Sequence, residues 1–197
     1  MKENKKIFCA IDTETTGLES TYAELIQLAI LPLNDDYTQH QIIPPFEIRI
    51  KADDPTDHDG SAAIHKLDPT EGYTQEEARN LFYKWLWEAQ EALKFKKITP
   101  IGQNYTFDLQ FIRKWLGGDK IYHQHFDRDY RDTKMTANFI NDVQSFRKKQ
   151  PVFAKTGLAE LCEYFGIDND NHHDAMNDAR VTARVYGEQV KLLVAGK

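Results

Sequence analysis

The stretch Ile7-Phe8-Cys9-Ala10-Ile11-Asp12-Thr13-Glu14-Thr15-Thr16-Gly17 opens on five apolar residues and runs straight into two carboxylates. The apolar run fits a central strand buried on both faces, and a side-chain period of two puts Asp12 and Glu14 on one face of it. Taken alone, the acidic end has two readings. It is either a turn with an Asx hydrogen bond or a ledge for a divalent cation at the end of a buried strand.

Outward from this strand, Leu25 to Leu33 and Gln41 to Ile50 read as two more; in the latter, Phe46, Ile48 and Ile50 alternate with Glu47 and Arg49. Short connections favour antiparallel neighbours. The polar stretch Lys51 to Gly60 ends the meander, and Thr74-x-x-Glu77 is a capping box opening a helix. Its apolar stripe is Ala78, Leu81, Phe82, Trp85, Leu86, Ala89 and Leu93.

Short strands and helices then alternate. Ile98 to Ile101 reads as a strand, Phe107 to Leu116 as a helix ended by Gly117-Gly118, and a weakly apolar stretch leads to Asp132. Helices follow Thr133, Gly157 and Asp174. The expected class is α/β, with a mixed central sheet of three antiparallel strands plus two further strands, flanked by helices.

A chain of 197 residues, 41% of them hydrophobic, can bury one sizeable core, so a single domain over 1–197 is expected. Cys9 and Cys162 lie in apolar patterns without metal-ligand or paired spacing and read as reduced, buried thiols. The start, Met1 to Lys6, is charged and leads into a run too short for a membrane span or a signal peptide, which favours a soluble cytoplasmic protein. Lys+Arg 25 against Asp+Glu 31 leaves a net charge of −6, which excludes a broad basic field of the kind that grips duplex DNA. Any nucleic-acid partner requires local reversal of that charge.

Two more acids occupy places that recur with the first pair. Asp108, in Gly102-Gln-Asn104-Tyr-Thr-Phe107-Asp108, opens an apolar helix, and Asp178, in His173-Asp-Ala-Met-Asn-Asp178, opens the last one, which carries Val181, Val185 and Leu192. Each alone is accounted for as a first-turn acid that favours the helix dipole. Together, four carboxylates converging from different elements, two on the strand and one on each helix, suit phosphodiester hydrolysis by two metal ions roughly 3.5 to 4 Å apart. Two divalent cations also neutralise the acids and bridge them to a phosphate. His173 adds a group able to take a proton near neutral pH.

In these motifs the chain resembles the DEDD superfamily of 3′-to-5′ exonucleases, in the histidine-containing branch that holds the proofreading subunit of bacterial DNA polymerase III and ribonuclease T. The likeness rests on Ile11-Asp12-Thr-Glu14-Thr-Thr-Gly17-Leu18, Asn104-Tyr-Thr-Phe107-Asp108 and His173-x-Ala-x-x-Asp178, in order along nearly the whole chain. Ile64-His65, Asp132-Thr133 and Leu158-x-x-Leu161-Cys162-x-x-Phe165-Gly166-Ile167 support it. The resemblance implies a ribonuclease-H-like fold and two divalent cations, magnesium or manganese. Asp12 would bridge both, Glu14 and Asp178 would help hold the one that activates water, and Asp108 the other. His173 would be the general base.

It further implies that Thr13, Thr15, Thr16, Gly17 and Leu18, with Asn104 and Phe107, grip the terminal nucleotide of a single-stranded DNA or RNA 3′ end. The competing reading of Leu18 and Phe107 is as ordinary core residues, which for Phe107 stands level with the substrate role. Two departures stand out. Lys66 follows Ile64-His65 where relatives often have Gly, so His65 receives no substrate role, and the doublet His172-His173 offers two bases, of which the five-residue step to Asp178 selects His173. Arg147, Lys148, Lys149 and Lys155 form a basic cluster, most simply a solvated helix end. The competing functions are an RNA-trimming exoribonuclease and a non-catalytic nucleic-acid-binding module. Polymerase docking and a homodimer are open partner arrangements.

Overall fold

A computed structural model describes residues 6–57, 59–170 and 173–196. Five strands, β1 (Lys6–Thr15), β2 (Leu25–Pro32), β3 (Phe46–Arg49), β4 (Lys97–Gly102) and β5 (Arg131–Asp132), form one sheet in the order β3-β2-β1-β4-β5. The first three pair antiparallel, while β4 runs parallel to β1 and β5 parallel to β4. This is the mixed sheet expected, with the most apolar strand at its centre.

Alternation along β1 splits the core between its two faces. Ile7, Cys9 and Ile11 pack with α2 (Gln75–Leu93) and α3 (Thr106–Leu116), through Phe82, Leu86, Phe111 and Ile112. Ala10 faces the other way, with Ala175, Met176 and Ala179 of α7 (Ala175–Val194). A third cluster joins α7 to α5 (Thr133–Phe146) and α6 (Leu158–Phe165) through Val181, Val185, Ile140, Leu161 and Cys162. Both cysteines are buried and unbridged.

The third strand is shorter than the expected Gln41 to Ile50, because Pro44-Pro45 carries no ladder donors and the pairing starts only at Phe46. Leu81 stands at the margin of the α2 stripe and stays 37% exposed. The weakly apolar stretch before Asp132 holds α4 (Asp119–His125) and the two-residue β5, and the short α1 (Ala62–His65) lies between β3 and α2. Tyr122 and Phe126 fill the space beside Phe82, with Phe126 stacked on both rings at 4.7 and 6.1 Å. No described helix is long and apolar enough to cross a membrane.

Candidate active site

The acids converge at the C-terminal end of β1. Asp12 and Glu14 share the face of Ala10, which packs against the first turns of α7, so both carboxylates look toward Asp178. The odd-numbered Thr13 looks toward α3, and its hydroxyl donates to Asp108 Oδ1 at 2.7 Å. That bond fixes a carboxylate only 3% exposed. Ligand atoms of Glu14, His173 and Asp178 all lie within 4.8 Å of one another. His173 reaches this position through a left-handed backbone, φ 63°, and its amide donates to Asp178 Oδ2 at 3.2 Å.

Crowding and burial hold these acids toward their protonated forms. Burial pushes the Asp12 carboxyl well above its ordinary range, and Asp108, Asp178, Glu14 and Asp174 push it further. Glu14 is pushed up to about 8, by burial first and then by Asp178, Asp108 and Asp174. Asp108 is pushed up to about 7 by burial, against the opposing hydrogen bond from Thr13. Buried carboxylates whose neighbours are carboxylates need cations to be charged together at neutral pH. An all-carboxylate set with one imidazole matches the oxygen preference of magnesium and manganese. The residues present therefore fit divalent ions.

Around this cluster, the residues expected to hold a nucleotide divide by direction. The hydroxyls of Thr13, Thr15 and Thr16 turn inward, Thr15 donating to the Gly17 carbonyl at 2.7 Å and Thr16 accepting from the Glu24 amide at 2.9 Å. Any grip by these three is left to their backbone. A Cβ at Gly17 would sit tightly, 3.0 Å from Asp59 Oδ2 and 3.1 Å from Ala23 Cβ. Leu18 is 61% exposed and Asn104 is exposed with φ 59°, whereas Phe107 is half-buried with its ring 5.0 Å from that of Phe111. Leu18 is thus no core residue, and Phe107 serves the core with one side. His172 lies outside the described residues.

Several residues that brace the site had no such role assigned from the sequence. His65 is 7% exposed; its Nδ1 accepts the Leu67 amide at 3.0 Å, which leaves Nε2 to donate to the Thr15 carbonyl at 3.2 Å. Asp59 accepts the Leu18 amide at 2.6 Å. Both bonds brace the loop after β1, and they span 50 and 41 residues, beyond any local pattern. Asp174 caps α7 by accepting the Asn177 amide at 2.9 Å, a local signal that N-cap preferences could have caught.

A mixed five-stranded sheet with carboxylates gathered at the end of its central strand is a ribonuclease-H-like fold. Residues 9–186 match the RNase_T exonuclease family, and the chain belongs to it. It is 27% identical over 188 residues to a PolC-type DNA polymerase III of Thermotoga petrophila, covering 94% of this chain and 12% of that polymerase. It is 28% identical over 179 residues to the 3′-5′ exonuclease DinG of Staphylococcus haemolyticus, covering 89% and 17%. The structure of E. coli Exonuclease I in complex with a dT13 oligonucleotide superposes with a TM-score of 0.69 at 18% identity, over 97% of this chain and 43% of that one. That of cell-death related nuclease 4 gives 0.69 at 14%, over 94% and 64%. The chain therefore spans less than a fifth of these curated relatives.

Proposed function

We propose that this chain is a single exonuclease domain that releases nucleoside monophosphates from the 3′ end of single-stranded nucleic acid, DNA in preference to RNA. The observation that carries the reading is the convergence of Asp12, Glu14, Asp108 and Asp178 from three elements with His173 beside them. The DNA preference draws support from the DNA polymerase relative and from the oligodeoxynucleotide held by Exonuclease I.

Two magnesium or manganese ions, when bound, supply charge neutralisation at the scissile phosphate and an acidified water. Asp12, which lies among the other acids, would help hold both ions, Glu14 and Asp178 one of them and Asp108 the other. His173 accepts the proton of the attacking water, for which its exposed place near Glu14 and Asp178 leaves room. Leu18 and the open side of Phe107 pack on the last bases, and stacking contributes roughly 1 to 3 kcal/mol per base irrespective of sequence. The backbone of Thr13 to Gly17 meets the terminal nucleotide, which requires a free end.

The test is digestion of 5′-labelled single-stranded DNA and RNA of equal sequence, with magnesium, manganese or chelator. A ladder shortening from the 3′ end is expected, faster on DNA, absent in chelator and absent for Asp12→Ala. Faster RNA shortening would select the exoribonuclease reading, and intact substrate under every metal the binding-module reading. His173→Ala is expected to slow turnover by about 10²- to 10⁴-fold, the usual contribution of a positioned base, while His172→Ala stays active. The reverse pattern would move the base to His172.

A further inference from the structure

Asp132 is a carboxylate only 5% exposed that ends β5 and opens α5. Its Oδ1 accepts the amides of Lys134 at 2.9 Å and Met135 at 3.1 Å, which caps α5. Its Oδ2 accepts the Tyr105 amide at 2.8 Å, reaching a different element. The parallel register that sets Asp132 beside Gly102 makes this reach possible.

The segment Gly102 to Tyr105 is the turn that aims α3. A Cβ on Gly102 would come within 2.7 Å of the Tyr105 ring, and Asn104 is left-handed, so the turn is tight at both positions. Helix α3 starts on this turn, with the Phe107 amide on the Asn104 carbonyl and the Leu109 amide on the Tyr105 carbonyl, both at 2.9 Å. Between those two residues stands Asp108.

Capping alone does not call for a carboxylate at this position, since Ser or Asn caps a helix as well. A second buried acid also works against Asp108, whose carboxyl it helps to push up. A carboxylate does one thing that neither neutral cap can do here: it accepts amide hydrogens from two elements through two oxygens. The next residue extends the tie. The Thr133 carbonyl accepts Gln189 Nε2 of α7 at 2.8 Å, and its hydroxyl contacts Gln103 Oε1. One dipeptide thus joins the turn that carries Asp108 to the helix that carries Asp178.

We infer that Asp132 is a positioning residue for the divalent-cation site, holding Asp108 in register with the other acids through the Tyr105 amide. The inference rests on the proposed reading of Asp108 as a metal ligand. Its test is a set of variants compared by manganese binding, read from the electron paramagnetic resonance signal of the free ion, with thermal unfolding and exchange of the ¹⁵N-labelled Tyr105 amide measured in parallel. D132N and D132S can each cap α5 but cannot also accept from Tyr105, whereas D132A loses both.

Both capping variants are expected to unfold a few degrees below wild type, since the buried Tyr105 amide loses its acceptor, but above D132A, to exchange the Tyr105 amide faster and to bind manganese about 10- to 100-fold more weakly, the usual effect of losing a partner that orients a ligand. Wild-type manganese affinity in D132N and D132S, with D108N weakened, overturns the inference and leaves the reading of Asp108 standing. Weakening confined to D132A and matched by its loss of stability reduces Asp132 to a helix cap, which also overturns it. Unchanged affinity in D108N would instead sink the reading on which the inference rests.

Discussion

Asp12 shows how far a residue of the candidate site is set against its own surroundings. Its carboxyl is pushed well up by burial and by four neighbouring acids, so in the absence of a cation its ionised form destabilises the folded chain. Asp12→Asn should therefore be inactive yet more stable than wild type in chelator near pH 8. Thermal unfolding checks this, with about 2–4 °C gained per kcal/mol of repulsion removed in a chain of this size. An unchanged or lower midpoint would argue against the crowding. The four acids and His173 were proposed from the sequence through the ordered recurrence of three short motifs, since each acid alone reads as an ordinary turn or first-turn residue. Which way Thr13, Thr15 and Thr16 turn was not legible there, since their hydroxyls are settled by Asp108 on α3 and by Gly17 and Glu24 of the loop that follows β1.

The elements divide in the same way. Helix α2 was legible because its capping box and apolar stripe are local, and the box forms in full, with Thr74 and Glu77 each bonding the other's amide. Thr74→Ala should cost about 1 kcal/mol, the usual value of such a cap, and lower the unfolding midpoint by a few degrees. Exonuclease activity should be unaffected, because α2 packs on the sheet face away from Asp12 and Glu14; a loss of activity at full folding would contradict that layout. Elements α1, α4 and β5 were not legible, being too short for periodicity to register. Lys66 gains a physical account: it ends α1 at φ 58°, a left-handed position that favours glycine.

For the molecule as a whole, the raised carboxyls make stability depend on pH and on cations. Glu14 has an ordinary pKa of 4.5 and titrates at about 8 in the fold, and Asp108 moves from 3.8 to about 7. Between the unfolded and folded values the folded state holds protons that the unfolded chain has released, so stability falls as pH rises through this window. In chelator the unfolding midpoint should be higher near about pH 5 than near about pH 8, other groups equal. Magnesium at the higher pH should restore it, because a ligand that binds only the folded state stabilises that state. A midpoint insensitive to magnesium at both values would count against a cation site.

The sequence by itself determined the class of fold, the central strand and the capped helices, and it nominated the five residues of the candidate site, because each is written in local periodicity or in a short ordered motif. Only the tertiary structure decided what holds those residues in place. The His65 bond to Thr15, the Asp59 bond to Leu18 and the Asp132 bond to Tyr105 join positions 27 to 50 residues apart. Such bonds depend on where the sheet register and helix packing bring two elements together, and no pattern along the chain carries that information.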